Sequence, residues 1–256
     1  METTNKEDRS NMNSILIIGA ASAIAKAFAE QVRDSKKLFL VDFDKDKLEA
    51  VEKDLIIRKN NKIKSFVLNV NEHDKIDEMF KSATQFLGVV DTILIAHGTL
   101  PNQEKCNSDI NTSIQEFTTN GTSTIALCQK AANILEPQKS GSLIVITSVA
   151  GDRGRQSNYL YGAAKGAVSI CLQGLRNRVA NLGITVITIK PGFVDTPMTA
   201  HLPKNPLFSS PEKIANGILK AAQKGKNTEI YLPSYWRLIM FIIKLIPVKI
   251  FNKLSL

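Results

Sequence analysis

Short apolar runs, most of them β-branched, recur along the chain at Ser14–Ile18, Leu38–Val41, Lys64–Leu68, Thr92–Ile95, Ser142–Thr147, Ile184–Ile189 and Glu229–Leu232. Most are apolar at consecutive rather than alternate positions, the pattern of strands covered on both faces. Stretches of helical periodicity separate them: Ala23–Arg33, Lys45–Lys59, His73–Phe86, Thr112–Leu135, Tyr161–Asn181 and Pro211–Lys224. The alternation predicts an α/β fold, a single doubly wound, mostly parallel sheet with helices on both faces and right-handed crossovers. No repeat, low-complexity tract or interdomain linker interrupts it. Residues 14–235 therefore read as one domain, with a disordered tail at 1–13 and an apolar-basic helix at 236–256.

In such sheets ligands bind beyond the carboxyl ends of the strands, where the strand order reverses. Chemistry-bearing residues are expected just after each strand. The first strand runs into Gly19-Ala-Ala-Ser-Ala-Ile-Ala25 and then a helix. A tight turn of this kind, with Ser22, Ala23 and Ile24 at the helix entry, brings backbone N–H groups and a helix N-terminus up to a pyrophosphate. The second strand ends at Asp42, at the distance from Gly19 where a carboxylate meets the adenosine ribose hydroxyls. No arginine follows it to accept a 2′-phosphate, so NAD(H) is preferred over NADP(H). Beyond the fourth strand, Ile95-Ala-His-Gly98 places Ala96 and Gly98 where the backbone can pass close to a cofactor, and His97 reads as structural rather than as an acid or base.

The densest constellation is Ser148 followed by Tyr161-Gly-Ala-Ala-Lys165. Residues four apart share one helix face. An ammonium one turn from a phenol is expected to lower the phenol's pKa from about 10 and to suit it for proton donation near neutrality. A hydroxyl such as Ser148 can hold a carbonyl oxygen as charge builds on it. Tyr159 lacks a lysine one turn on and is set aside.

Composition narrows the picture. Hydrophobic residues make up 43% and charged residues 22%, which excludes wholesale disorder. The formal charge of +9 favours anionic company without choosing it, and no aromatic-basic motif supports nucleic acid. Cys106, Cys128 and Cys171 are odd in number and lack metal-site spacing, so reduced thiols and no metal are expected. Ser14–Ala25 resembles the apolar core of a signal peptide, but nothing clearly basic precedes it and cleavage would remove the best strand. A cytoplasmic protein is the expectation.

With these residues assembled, the chain resembles the short-chain dehydrogenase/reductases over roughly 14–235. The resemblance implies a Rossmann-type domain, an NAD(P)-dependent oxidoreductase acting on C–OH and C=O groups, and a homo-oligomer. Catalytic roles fall on Asn120, Ser148, Tyr161 and Lys165, the last two also meeting the nicotinamide ribose. Asn69 and Val70 lie beside adenine, and Pro191, Gly192, Val194 and Thr196 near the nicotinamide carboxamide. The glycine loop departs from the family pattern at Ala23 and Ala25.

The segment Gly151-Asp-Arg-Gly-Arg-Gln-Ser-Asn-Tyr-Leu-Tyr161 is also similar to that of the narrower group of reductases serving decaprenylphosphoryl-ribose 2-epimerisation. It implies a polyprenyl-phosphate-linked keto sugar as substrate, a flavin-dependent oxidase as partner, a place in cell-wall biosynthesis, and Arg153 and Arg155 as phosphate ligands beside Ser148 and Tyr161. Reduction of another lipid or small carbonyl, 3-oxoacyl or steroid-like, and a non-catalytic dinucleotide-binding scaffold stay open. The run from Trp236 to Leu254 is apolar with only basic charges, and Pro247 should break it. It reads as a helix at a lipid surface, at the inner face of the membrane, too short to span; a dimer interface or packing on the core is the alternative. Met198–Ser210 reads as a substrate lid.

Overall fold

The structure is a computed structural model that describes residues 12–34 and 36–254. Most of the tail expected at 1–13 lies outside the described residues. Among those described, seven strands form one parallel sheet: β1 (Ser14–Ile18), β2 (Lys37–Asp42), β3 (Lys62–Val67), β4 (Thr92–Ile95), β5 (Ser142–Ile146), β6 (Thr185–Pro191) and β7 (Thr228–Leu232). Their spatial order is β3-β2-β1-β4-β5-β6-β7, so the order reverses between β1 and β4. The crevice opens there.

Side chains alternate across each strand, and consecutive apolar residues are what a sheet covered on both faces requires. In β1, Ile15 and Ile17 pack against α1 (Ala23–Gln31), α2 (Lys45–Arg58) and α8 (Pro211–Lys224). Leu16 and Ile18 pack on the other side against α3 (Ile76–Leu87), α6 (Ser123–Gln138) and α7 (Tyr159–Arg178). The helix starts follow local chemistry. Ser22, Asp44 and Ser210 accept from backbone N–H groups of the first turns of α1, α2 and α8, which satisfies donors the helices cannot use themselves.

Three features depart from the periodicity. The stretch expected as one helix over 112–135 is α5 (Ile110–Phe117), a π turn at Thr118–Thr122 and then α6. A short helix, α4 (Gln103–Ser108), capped by Asn102, precedes it. The C-terminal stretch is two helices, α9 (Trp236–Leu245) and α10 (Val248–Phe251), broken at Pro247 as its missing N–H dictates.

The tail is not a loose appendage. Trp236 and Met240 are buried against Val149, with Phe193 and Tyr231 around them. Gly192 makes this possible, because a Cβ there would stand 1.9 Å from the Trp236 indole. Among the described residues no helix is long and apolar enough to cross a membrane.

A buried charge network ties β6 and β7 to the segment that follows β5. Lys190 Nζ lies 2.5 Å from Asp152 Oδ1 and 2.6 Å from Glu229 Oε1, and Tyr231 Oη donates to Asp152 Oδ2 at 2.6 Å. Removing one member of such a cluster strands the remaining charges in low dielectric. Lys190→Met is therefore expected to lower unfolding stability by about 3–5 kcal/mol, read from urea denaturation; an unchanged midpoint would show that the network is not holding β6, β7 and the 152 segment together.

Candidate active site

Beyond the carboxyl ends of β1, β2, β4, β5 and β6 lies a cavity of about 570 Å³. Gly19, Ser22, Ala23, Ile24, Asp42, Asn69, Val70, Ala96, Gly98, Ser148, Arg155, Tyr161, Lys165, Pro191, Gly192, Val194 and Thr196 all line it. Asn120 stands one layer behind, fully buried. Arg153 is not among the lining residues.

At one end, Gly19 has φ +83°, and a Cβ there would meet the His97 backbone N at 2.4 Å. The turn into α1 thus requires glycine. Asp42 is buried, and its Oδ2 accepts from Ala21 N at 2.9 Å and its Oδ1 from Asp44 N at 3.2 Å. This pins the carboxylate at the end of β2 beside the turn. Asn69 Oδ1 accepts from Asn71 N at 3.1 Å, which turns the chain after β3. Asn71, Lys47 and Phe43 also line this end and were not singled out from sequence.

At the other end, Ser148 closes β5, and its Oγ accepts from Ala150 N at 3.1 Å in a 3-10 turn. That turn lies directly on α7: a Cβ on Gly151 would stand 2.7 Å from Gly166 N. The close approach brings Ser148 to the face of α7 that carries Tyr161 and Lys165. Lys165 Nζ lies 5.7 Å from the centre of the Tyr161 ring. A Cβ on Gly98 would press on Asn120 Oδ1 at 2.9 Å and Lys165 Nζ at 3.1 Å, so bare backbone faces the ammonium there.

The π turn positions Asn120. Its Nδ2 donates to Thr99 Oγ1 at 2.8 Å and to Glu116 O at 3.1 Å, and its Oδ1 accepts from Thr99 N at 3.1 Å. Widened turns of this kind recur at functional sites because they free backbone groups from the helical ladder.

The electrostatics differ from the expectation for Tyr161. Burial pushes its phenol up to about 12, with the Ser148 hydroxyl pulling weakly the other way. Burial also pulls Lys165 down to about 8. The ammonium does not make the phenol acidic here, because desolvation drives each group toward its neutral form. At neutral pH the phenol is protonated, the form a proton donor needs. Burial likewise raises the Cys128 thiol, leaving it an inert neighbour.

Arg153 requires a correction. Its Nη1 donates to Ile243 O and, at 3.3 Å, to Lys244 O, and the guanidinium lies 3.8 Å over the Phe251 ring. It binds the carboxyl end of α9 instead of facing the cavity, since unsatisfied terminal carbonyls attract a cation. Arg155 does line the cavity; its Nη2 reaches only Met240 Sδ at 3.4 Å, and its Nε has no partner. Asn158, three residues before Tyr161, lines the cavity with its Oδ1 buried and unbonded. Sequence offered no sign of it beyond an amide at a helix start. The Met198–Ser210 segment is anchored: Phe193 stacks on Phe208 at 5.2 Å, and Lys204 pairs with Asp195 at 2.5 Å.

A dinucleotide fits this set. A glycine turn opens a helix, a carboxylate is fixed one strand away, and the phenol and ammonium sit across the strand-order switch with buried polar atoms still unbonded.

His97 Nε2 lies 3.1 Å from Thr124 Oγ1, and its Nδ1 is buried without a partner. Burial, with Lys165 adding, drives its pKa down to about 3. The unfolded chain takes up this proton near pH ~6.5, so stability contributed here is lost as pH falls from ~6.5 toward 3. NMR titration should find the His97 ring neutral between pH 8 and 5. An inflection near 6.5 would contradict its burial.

Comparison with known proteins agrees with this geometry. The family model described as short chain dehydrogenase matches residues 13–206. An uncharacterized oxidoreductase of Staphylococcus aureus strain N315 is 29% identical over 217 residues, covering 84% of this chain and 93% of its own length. Levodione reductase is structurally similar with a TM-score of 0.76 at 21% identity, covering 86% of this chain and 96% of its own. The NADPH-dependent 3-quinuclidinone reductase of Rhodotorula rubra gives 0.75 at 22% identity, covering 90% and 95%.

Proposed function

The chain belongs to the short-chain dehydrogenase family and is an NAD(P)-dependent oxidoreductase acting on carbonyl and alcohol groups; from that premise we propose that it uses NADH to reduce the keto group of a polyprenyl-phosphate-linked keto sugar. The observation that carries the reading is Ser148, Tyr161 and Lys165 gathered in one cavity with a glycine turn and Asp42 at its far end. The cofactor supplies the hydride when bound. Tyr161, protonated, gives its proton to the carbonyl oxygen, and Ser148 hydrogen-bonds that oxygen. Lys165 holds the ribose and returns a proton to Tyr161, supported by Asn120. A non-catalytic scaffold would have little use for this set.

Asp42 accepts from ribose hydroxyls and repels a 2′-phosphate, which supports NADH over NADPH. Gly19, Ser22, Ala23 and Ile24 take the pyrophosphate, Asn69 and Val70 the adenine, and Ala96, Gly98, Pro191, Gly192, Val194 and Thr196 the nicotinamide half. At the substrate end Arg155 offers a guanidinium for a phosphate. A flavin-dependent oxidase is the partner that such a substrate calls for, with the enzyme homo-oligomeric and peripheral at the cytoplasmic face of a membrane. Leu100, Phe193, Met198 and Leu202 also line the cavity, which favours, as a second reading, a different lipid carbonyl such as a 3-oxoacyl chain or a steroid-like ketone.

Tyr161→Phe should retain NADH binding in fluorescence titration and lose at least about 100-fold in turnover, the usual scale of a positioned acid. Undiminished turnover would remove the proton-donor role. Asp42→Ala should weaken NADH binding and narrow the gap to NADPH, measured by titrating both cofactors; equal affinities in the unsubstituted protein would end the preference for NADH.

A further inference from the structure

The two C-terminal helices are anchored on one side and unpartnered on the other. In α9, Trp236 and Met240 point into the fold, and Arg153 secures its carboxyl end. The opposite side exposes Leu238 (64%), Phe241 (58%), Ile242 (54%) and Leu245 (65%). These positions share one helix face. Past Pro247 the same character continues, with Val248 and Ile250 exposed in α10. A contiguous apolar surface of this kind marks an interaction site rather than ordinary solvent contact.

Charge selects the occupant. From Trp236 to Leu254 every charged side chain is basic: Arg237, Lys244, Lys249 and Lys253. Arg237 and Lys244 are seven residues apart on one flank of the apolar face, and neither forms an ion pair among the described residues. With Leu238 and Phe241 they line a shallow surface pocket of about 400 Å³ whose floor includes Tyr231. Apolar bulk beside two cations matches an amphiphile with a phosphate head. A two-fold contact between copies would bring one unneutralised set of cations toward another.

We propose that α9 and α10 form a docking surface for an anionic lipid bilayer. Leu238, Phe241, Ile242 and Leu245 enter the acyl boundary, and Arg237 and Lys244 meet lipid phosphates. This gives the membrane placement proposed above its surface and lipid chemistry, and it stands without the redox reading, since α9 and α10 would dock even if the reduced carbonyl were water-soluble.

The test uses the full chain with vesicles of phosphatidylcholine alone, or mixed with phosphatidylglycerol, and NADH titration on the same samples reports the cofactor site separately. Binding is expected on the mixed vesicles and not on the neutral ones. Arg237→Gln with Lys244→Gln should weaken it about 25-fold, from about fivefold per basic residue near an anionic surface, with NADH binding unchanged. In Leu245→Trp, bromine-labelled lipid should quench the new indole, while the native Trp236, buried against Gly192, stays unquenched. Absence of binding to the mixed vesicles, or equal binding to both kinds, overturns the proposal. So does self-association in solution that Phe241→Glu abolishes, which would assign the face to a second copy.

Discussion

Lys165 is nearly buried, and its ammonium finds no ion pair or hydrogen bond among the described residues. Gly98, Asn120 and Tyr161 all face that one group. Glycine at 98 keeps the β4 loop clear of it, Asn120 turns its amide oxygen toward the same space, and the Tyr161 ring covers one side. Burial of a cation without a counter-charge is unfavourable. It persists because α7 is held from both flanks, by the sheet through Val168, Leu172 and Leu175 and by the 3-10 turn after Ser148.

The two ends of the cavity are built on different principles. The Asp42 end is set by local geometry: a strand end, a glycine turn and a carboxylate tied to two backbone N–H groups. The Tyr161 end depends on contacts distant in sequence. Asn120 reaches it across a π turn, Arg155 is bordered by Met240 from the tail, and Gly192 is overlaid by Trp236. The tail therefore borders the Tyr161 end, at Gly192 and Arg155.

This difference decides what could be read from residues alone. The strands were legible almost to their ends because runs such as Ile15–Ile18 admit few other uses. Ser148, Tyr161 and Lys165 were legible because a strand end and a helical spacing of four place them without further knowledge. Arg153 was misread since its partners, Ile243 and Lys244, lie some ninety positions away and are backbone carbonyls, which carry no signature in sequence. The acidity of Tyr161 was misread for a related reason. Proximity of an amine was visible and the depth of burial was not. The helix over 112–135 looked continuous because the spacing of Ile110, Ile114 and Phe117 is helical, although α5 leaves Ile110 and Ile114 exposed and only α6 buries its apolar face in the core.

The π turn itself carries a further consequence. Five residues occupy what an ordinary helix would fill with four, so α5 and α6 run out of phase by about 100°, the angular step of one residue. Each half nevertheless keeps its own register on its neighbours. The extra residue is accommodated at a single point, Thr118–Thr122. The irregularity works as a phase adjuster, letting one helical rod serve two orientations.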